Sequence, residues 1–189
     1  MGGSKMTSRE FEKLVKLHGK SIYGFCCHLT GSRQLADDLY QDTFLKAVEL
    51  RHKLNGSGNG KEQEMLSARN YLIGIAVRLW SNEVRKNSKW KSMISLDNME
   101  TDSNVTLKDS MNLEEQMMKK ELLLEVKRIV ATLPEKMKAV VYMYYTAGMS
   151  IEEISEELHI PKGTVKSRMH KARMNIMNGL EAKGYETGL

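Results

Sequence analysis

Ser150-Ile151-Glu152-Glu153-Ile154-Ser155-Glu156-Glu157-Leu158-His159-Ile160-Pro161-Lys162-Gly163-Thr164-Val165-Lys166-Ser167-Arg168-Met169-His170-Lys171-Ala172-Arg173 is the stretch that decides the fold. Ser150 and Glu153 have the spacing of a capping box, in which each side chain satisfies a helix-end donor that has no intrahelical partner. The short helix opened there ends near Leu158, and His159-Ile160-Pro161 turns the chain. Proline is tolerated at a helix start because the missing N–H is not needed there, so a last helix follows, running to about Asn178. A short capped helix, a tight turn and a longer basic helix form the helix-turn-helix pattern.

At 100° per residue Val165, Met169, Ala172 and Ile176 share one side of the last helix, which must pack inward. The opposite side centres on Gly163, Ser167, His170 and Met174, with Thr164, Lys166 and Lys171 beside them. Its hydroxyl, imidazole and ammonium groups include no carboxylate. From Lys162 to Arg173 the cations are Lys162, Lys166, Arg168, Lys171 and Arg173, with no acid in the run. Such a face attracts phosphate, and its donors suit base edges.

Outward from this unit the chain reads as helical throughout. Upstream, a helix from Pro134 carries Met137, Val140, Val141 and Tyr144 inward and stops at Gly148. It is preceded by a helix over about Leu113 to Thr132 with Leu122, Leu123, Val126, Ile129 and Val130 expected inside. From Ser92 to Asn112 periodicity dissolves, and between Asp97 and Glu115 six acids face only Lys108. This segment is expected to be a flexible acidic linker. Before it, a helix from about Ser67 to Ser88 has a core stripe of Leu72, Ile75, Ala76 and Leu79, widened by Ile73, Val77, Trp80 and Val84. Its other face carries Arg78, Asn82, Arg85 and Lys89. Two further helices are expected, Ser8 to Thr30, and one capped by Ser32 and reaching about Leu54, before the glycine-rich run Asn55 to Gly60.

The fold class is therefore all-α. It comprises a helical domain over residues 8–91, a linker over 92–112 and a helix-turn-helix domain over 113–184. The 189 residues carry 29 Lys and Arg against 24 Asp and Glu, a net charge of +5, and 41% are hydrophobic. That balance matters only through its placement, positive on the third and last helices and negative on the second helix and the linker. Cys26 and Cys27 are adjacent, a poor geometry for a mutual disulfide, and they lie within a helix without a second ligand cluster, so neither a disulfide scaffold nor a metal site is expected. No catalytic dyad, nucleophile elbow or phosphate loop occurs, so no catalytic residues, metal or cofactor are assigned and an enzyme is not expected. No stretch approaches the ~18 apolar residues of a membrane helix, and the expected compartment is the cytoplasm.

Leu133-Pro134-Glu135, Gly148-Met149-Ser150-Ile151-Glu152-Glu153-Ile154 and the run Gly163 to Arg173 together resemble region 4 of the extracytoplasmic-function group of bacterial sigma factors. Ala36-Asp37-Asp38-Leu39-Tyr40-Gln41-Asp42-Thr43-Phe44-Leu45-Lys46-Ala47 independently resembles region 2 of the same group, and no region 3 is recognised between them. The resemblance implies a transcription initiation factor that binds core RNA polymerase and promoter DNA. Lys162, Thr164, Lys166, Ser167, Arg168, His170, Lys171 and Arg173 would meet the minus-35 duplex. Asn55, Lys61, Tyr71, Arg78, Asn82, Arg85, Lys86 and Lys89 would meet the melted minus-10 strand. Asp38, Gln41, Asp42 and Leu45 would dock on the polymerase clamp. It further implies a linker that enters the polymerase channel and an anti-sigma factor as regulator. The family usually has Trp-Leu where Tyr71-Leu72 stands, and Asn and Asp where Arg78 and Asn82 stand, so the base read there stays open. Trp80 is expected in the core, and Trp90 is a candidate for stacking on an unpaired base. The rival reading is a conventional repressor or activator whose first half senses a signal or dimerises.

Overall fold

The computed structural model describes residues 8–50, 61–86 and 113–185, with side chains over 11–50, 68–86 and 116–185. Among them lie seven helices and no strand: α1 (Ser8–Thr30), α2 (Arg33–Glu49), α3 (Lys61–Lys86), α4 (Leu113–Thr132), α5 (Glu135–Tyr145), α6 (Ile151–Leu158) and α7 (Lys162–Glu181). The glycine-rich run, Asn55, Lys89, Trp90 and the acidic linker from Ser92 to Asn112 lie outside the described residues, as does the side chain of Lys61.

In the N-terminal half, α1, α2 and α3 pack on one another through Ile22, Phe25, Cys26 and Leu29, then Leu39, Phe44 and Ala47, then Leu72, Ile75 and Ala76. Phe44 meets Phe11 edge-on at 6.1 Å and Tyr40 at 4.9 Å between ring centroids. Gly31 adopts φ 67°, a left-handed turn that a side chain would strain, and it separates α1 from α2. Burial, with Cys27 beside it, pushes the Cys26 thiol up to about 12. Cys26 therefore behaves as a small apolar core residue.

Several boundaries differ from the periodicity. The second helix ends at Glu49 rather than near Leu54, because Leu50 leaves helical geometry at φ −97°, ψ 15°. Ser32 occupies the N-cap position with extended backbone, yet its side chain makes no cap bond. Instead its N–H points to Thr30 Oγ1 at 3.4 Å, and Thr30 Oγ1 donates to Cys26 O and to Ser32 O, each at 2.9 Å. The third helix begins at Lys61, earlier than Ser67, and the last extends to Glu181. Leu122 and Leu123, expected inside, are each 37% exposed. The later part of α4 packs on the end of α7: Ile129 lies against Gly179 of α7, and Lys183 reaches Glu125 at 3.6 Å.

The larger difference concerns the two halves, which share one continuous core. Leu72 to Val77 are all buried, a full circumference of α3, which requires cover on both sides. One side packs on α1 and α2, and the other on α5 and α6. Arg69 ties three segments together, donating from Nε to Ser21 Oγ at 3.0 Å and from Nη1 to Ala147 O at 2.7 Å. His28 stacks on Tyr142 across the junction, 6.0 Å between centroids.

Two histidines make this arrangement acid-sensitive. Burial, then Arg69, lowers the pKa of His18, and burial, then Lys127, lowers that of His28. With folded values below the unfolded 6.5, their stabilising contribution is full above 6.5 and is lost as pH falls toward and through the folded values. Urea unfolding midpoints are expected to drop as pH is lowered below about 6.5. His28→Phe, which keeps a ring on Tyr142 without a titrating nitrogen, should flatten that dependence. An unchanged slope in His28→Phe would take His28 out of the effect.

Candidate nucleic-acid interface

The helix-turn-helix is built by local bonds. Ser150 Oγ accepts from the Glu153 N–H at 3.2 Å, and Glu153 Oε2 accepts from the Ser150 N–H at 2.7 Å, completing the capping box. At the other end of α6, His159 takes the left-handed conformation, φ 53°, and the Ile160 N–H bonds back to Ser155 O at 3.1 Å. Ser155 Oγ also donates to Ile160 O at 2.6 Å, so the turn into α7 is fastened from both its backbone and a side chain.

Val165, Met169 and Ala172 of α7 are buried against α5 and α6, as their spacing predicts. The outward side holds Lys162, Gly163, Lys166, Ser167, His170, Lys171, Arg173 and Met174 in exposed positions, with Thr164 and Arg168 half-buried at its margins. Ser167 Oγ donates to Thr164 O at 3.0 Å, fixing the hydroxyl, and Arg173 Nε donates to Tyr145 Oη at 3.0 Å. One acid does reach this surface. Glu152 of α6 pairs with Lys162 at 3.1 Å, and that hydrogen bond leads the causes that lower the Glu152 pKa. The absence of an acid within the run from Lys162 to Arg173 therefore leaves Lys162 partnered from across the turn.

On α3, Asn82, Arg85 and Lys86 are exposed, Arg85 bonding Asn82 Oδ1 and Lys86 standing 3.8 Å from Glu83. Tyr71 and Arg78 are half-buried, and Arg78 Nε donates to Gly74 O at 3.1 Å. The outward stripe expected on this helix is thus open at its C-terminal end and partly covered at its start. Trp80 is 0% exposed, with Lys138 Nζ 5.9 Å from its ring centre, and in this arrangement it is closed to stacking by a base. On α2, Asp38, Gln41, Asp42 and Leu45 are all exposed along one stripe, and Leu45 leaves 64% of its surface in water. A leucine held out beside carboxylates is a surface with both apolar and acidic character.

The sequence reading missed Arg69, Asn70, Gly74 and Glu157, which join α3 to the other half. The available signal was the apolar run Leu72, Ile73, Ile75, Ala76, Val77, too wide for a helix covered on one side only. Among the described residues no group of three His, Cys, Asp or Glu could hold a metal ion, and no helix is long and apolar enough to cross a membrane.

Two family models match: Sigma-70 region 2 over residues 14–89 and Sigma-70 region 4 over residues 123–176. The chain is 30% identical over 148 residues to the ECF RNA polymerase sigma-E factor of Escherichia coli, covering 76% of this chain and 73% of that protein. The chain belongs to the ECF RNA polymerase sigma factors. This sigma factor is also 26% identical over 167 residues to SigW of Bacillus subtilis, covering 86% of this chain and 84% of that protein. To SigE of Mycolicibacterium smegmatis it is 24% identical over 186 residues, covering 98% and 67% respectively. In fold it is similar to the sigma factor RpoE of Bartonella quintana, solved in complex with the anti-sigma factor NepR. The TM-score is 0.60 at 20% identity, covering 92% of this chain and 98% of that one. The role of this sigma factor is promoter-directed initiation of transcription, carried by two helical regions.

Proposed function

We propose that the chain acts on core RNA polymerase in the cytoplasm, with its two promoter-reading surfaces on α7 and α3 and no catalytic chemistry of its own. α7 enters the major groove of the minus-35 duplex, with Lys166, Ser167, His170 and Lys171 toward base edges and Lys162, Thr164, Arg168 and Arg173 toward phosphates. α3 and the segment before it take the melted minus-10 strand through Asn55, Lys61, Tyr71, Arg78, Asn82, Arg85, Lys86 and Lys89, by charge and stacking rather than groove readout. α2 docks on the polymerase through Asp38, Gln41, Asp42 and Leu45. The functional division is 8–91, a linker over 92–112, and 113–184. An anti-sigma factor, as in the complex of the Bartonella quintana protein, is the proposed regulator.

The observation that carries this reading is the exposed side of α7. It presents donors and cations, free of carboxylate within its own sequence, at the end of a capped helix-turn-helix. The test is transcription by core polymerase reconstituted with this chain on a library of promoter fragments. Transcripts starting at defined positions downstream of one shared sequence pattern are expected. Tight duplex binding by the chain alone, with no specific transcript from the reconstituted enzyme, would replace this reading with that of a conventional repressor or activator.

A further inference from the structure

At the end of α5, Tyr145 leaves 58% of its surface in solvent, yet its ring is held. Tyr144 meets it edge-on at 5.0 Å between centroids, and its hydroxyl accepts from Arg173 Nε at 3.0 Å. The two partners of that bond are 28 residues apart and stand on different helices, so it ties the end of α5 to the outward side of α7. Arg173 lies seven residues beyond Lys166 and eleven beyond Lys162, which at 100° per residue returns it to within about 20° of both. The three cations therefore share one edge of α7. It is the edge beside α5 and α6, since Lys162 reaches Glu152 of α6 and Arg173 reaches Tyr145 of α5.

The partners along that edge differ in charge. Lys162 faces a carboxylate, Glu152 at 3.1 Å, which offsets part of its attraction for phosphate. Arg173 faces a neutral hydroxyl, so its guanidinium is positioned while its charge stays available. The donors that remain have a definite geometry. A guanidinium carries its N–H groups in a rigid planar fork, and a phenol has one O–H donor besides its lone pairs. With the Nε–H given to Tyr145, the two Nη groups at the end of Arg173 still form a complete fork for two phosphate oxygens. The Tyr145 oxygen acts as acceptor toward Arg173, and its own hydrogen can be donated outward.

We propose that Tyr145 is a DNA-positioning residue: it holds Arg173 and with it grips one backbone phosphate of the upstream duplex, so that α5 as well as α7 touches the DNA. This rests on the reading of α7 given above. Distance along the helix assigns a phosphate rather than a base. Recognition helices read base edges with their N-terminal residues, whereas Arg173 stands eleven residues past the first residue of α7, ~17 Å along the axis. It also lies on the flank of the helix, away from the row of Gly163, Ser167 and His170 that centres the outward side. A contact shared by two helices does what contacts from α7 alone do not. Phosphate contacts set a protein's orientation on the duplex, and a phosphate held between α5 and α7 resists rolling of α7 about its own axis in the groove.

The full-length chain, reconstituted with core polymerase, is titrated onto the fluorescein-labelled promoter duplex that gives the strongest specific transcript. Tyr145→Phe keeps the ring and removes only the hydroxyl. It should weaken binding about three- to tenfold without a new base preference, and the salt slope should stay because no charge is lost. Arg173→Gln should cost more and make the slope shallower by about one. In the Arg173→Gln background, Tyr145→Phe should cost no more than about twofold, since the hydroxyl acts through the guanidinium it holds. Duplexes that each carry one neutral methylphosphonate locate the phosphate: at one position the neutral linkage should weaken the wild-type complex and leave that of the double variant unaffected. Unchanged affinity of Tyr145→Phe, independent losses from the two substitutions, or the same methylphosphonate profile in wild type and double variant would each overturn the inference. Urea midpoints should match the wild type, because both side chains are exposed; a fall in Tyr145→Phe would give the hydroxyl a folding role in place of the one proposed. Absence of any specific transcript from the wild-type protein would strike the underlying sigma-factor reading, and the inference with it.

Discussion

Trp80→Ala is expected to destabilise the protein by about 3–5 kcal/mol, the range for deleting a large aromatic from a core. Trp80 is fully buried, and its ring sits beneath Lys138, a lysine only 4% exposed whose pKa is lowered first by its own burial. Removing the indole leaves a cavity and takes away the aromatic face that offsets the buried ammonium. Against a typical total of ~5–15 kcal/mol, the loss would bring the molecule close to unfolding at ordinary temperature. Urea denaturation followed by far-ultraviolet circular dichroism measures it. A loss near that of a surface substitution would show that the indole is not held between α3 and α5 in solution.

Lys166→Glu combined with Lys171→Glu is expected to weaken binding to duplex DNA by about two orders of magnitude near 0.1 M salt. Both ammonium groups are exposed on the outward side of α7, and reversing them puts carboxylates where phosphates and base acceptors would lie. The slope of log affinity against log salt should also shrink, because the two introduced carboxylates offset part of the phosphate neutralisation supplied by Lys162, Arg168 and Arg173. The unfolding midpoint should not move, because neither side chain contributes to the core. Ser167→Ala should behave differently. Its hydroxyl is held on Thr164 O and carries no charge, so base preference should change while the salt slope stays. Fluorescence anisotropy over a salt series separates the cases, and unchanged affinity in the double reversal would remove α7 as the DNA-reading helix.

Much of the molecule was legible because its determinants are local. The Ser150 and Glu153 capping box, the Gly148 stop, the exact extent of α4 and the inward stripe of Val165, Met169 and Ala172 all depend on residues within a turn or two of each other. The exposed stripe of α2 follows from the same arithmetic. Leu122 and Leu123 were misread because periodicity reports which face of a helix is apolar, and not whether another element reaches that turn. Lys162 was read without its acid because Glu152 lies across a turn whose geometry brings the two together.

By itself, the sequence determined an all-helical chain with a helix-turn-helix at its end, an acidic stripe on its second helix, and the family to which those segments are similar. Each of those rests on spacing along the chain, which helical geometry converts into faces. Only the tertiary structure decided that the two halves close on each other, that Trp80 is buried beneath Lys138, and that Glu153 and Glu157 lie against α3. Asn70 and Glu153 are 83 residues apart, and no local period encodes such a pair. It exists because α3 carries more apolar surface than its own half can cover, and because Gly74 leaves space for α6 to approach.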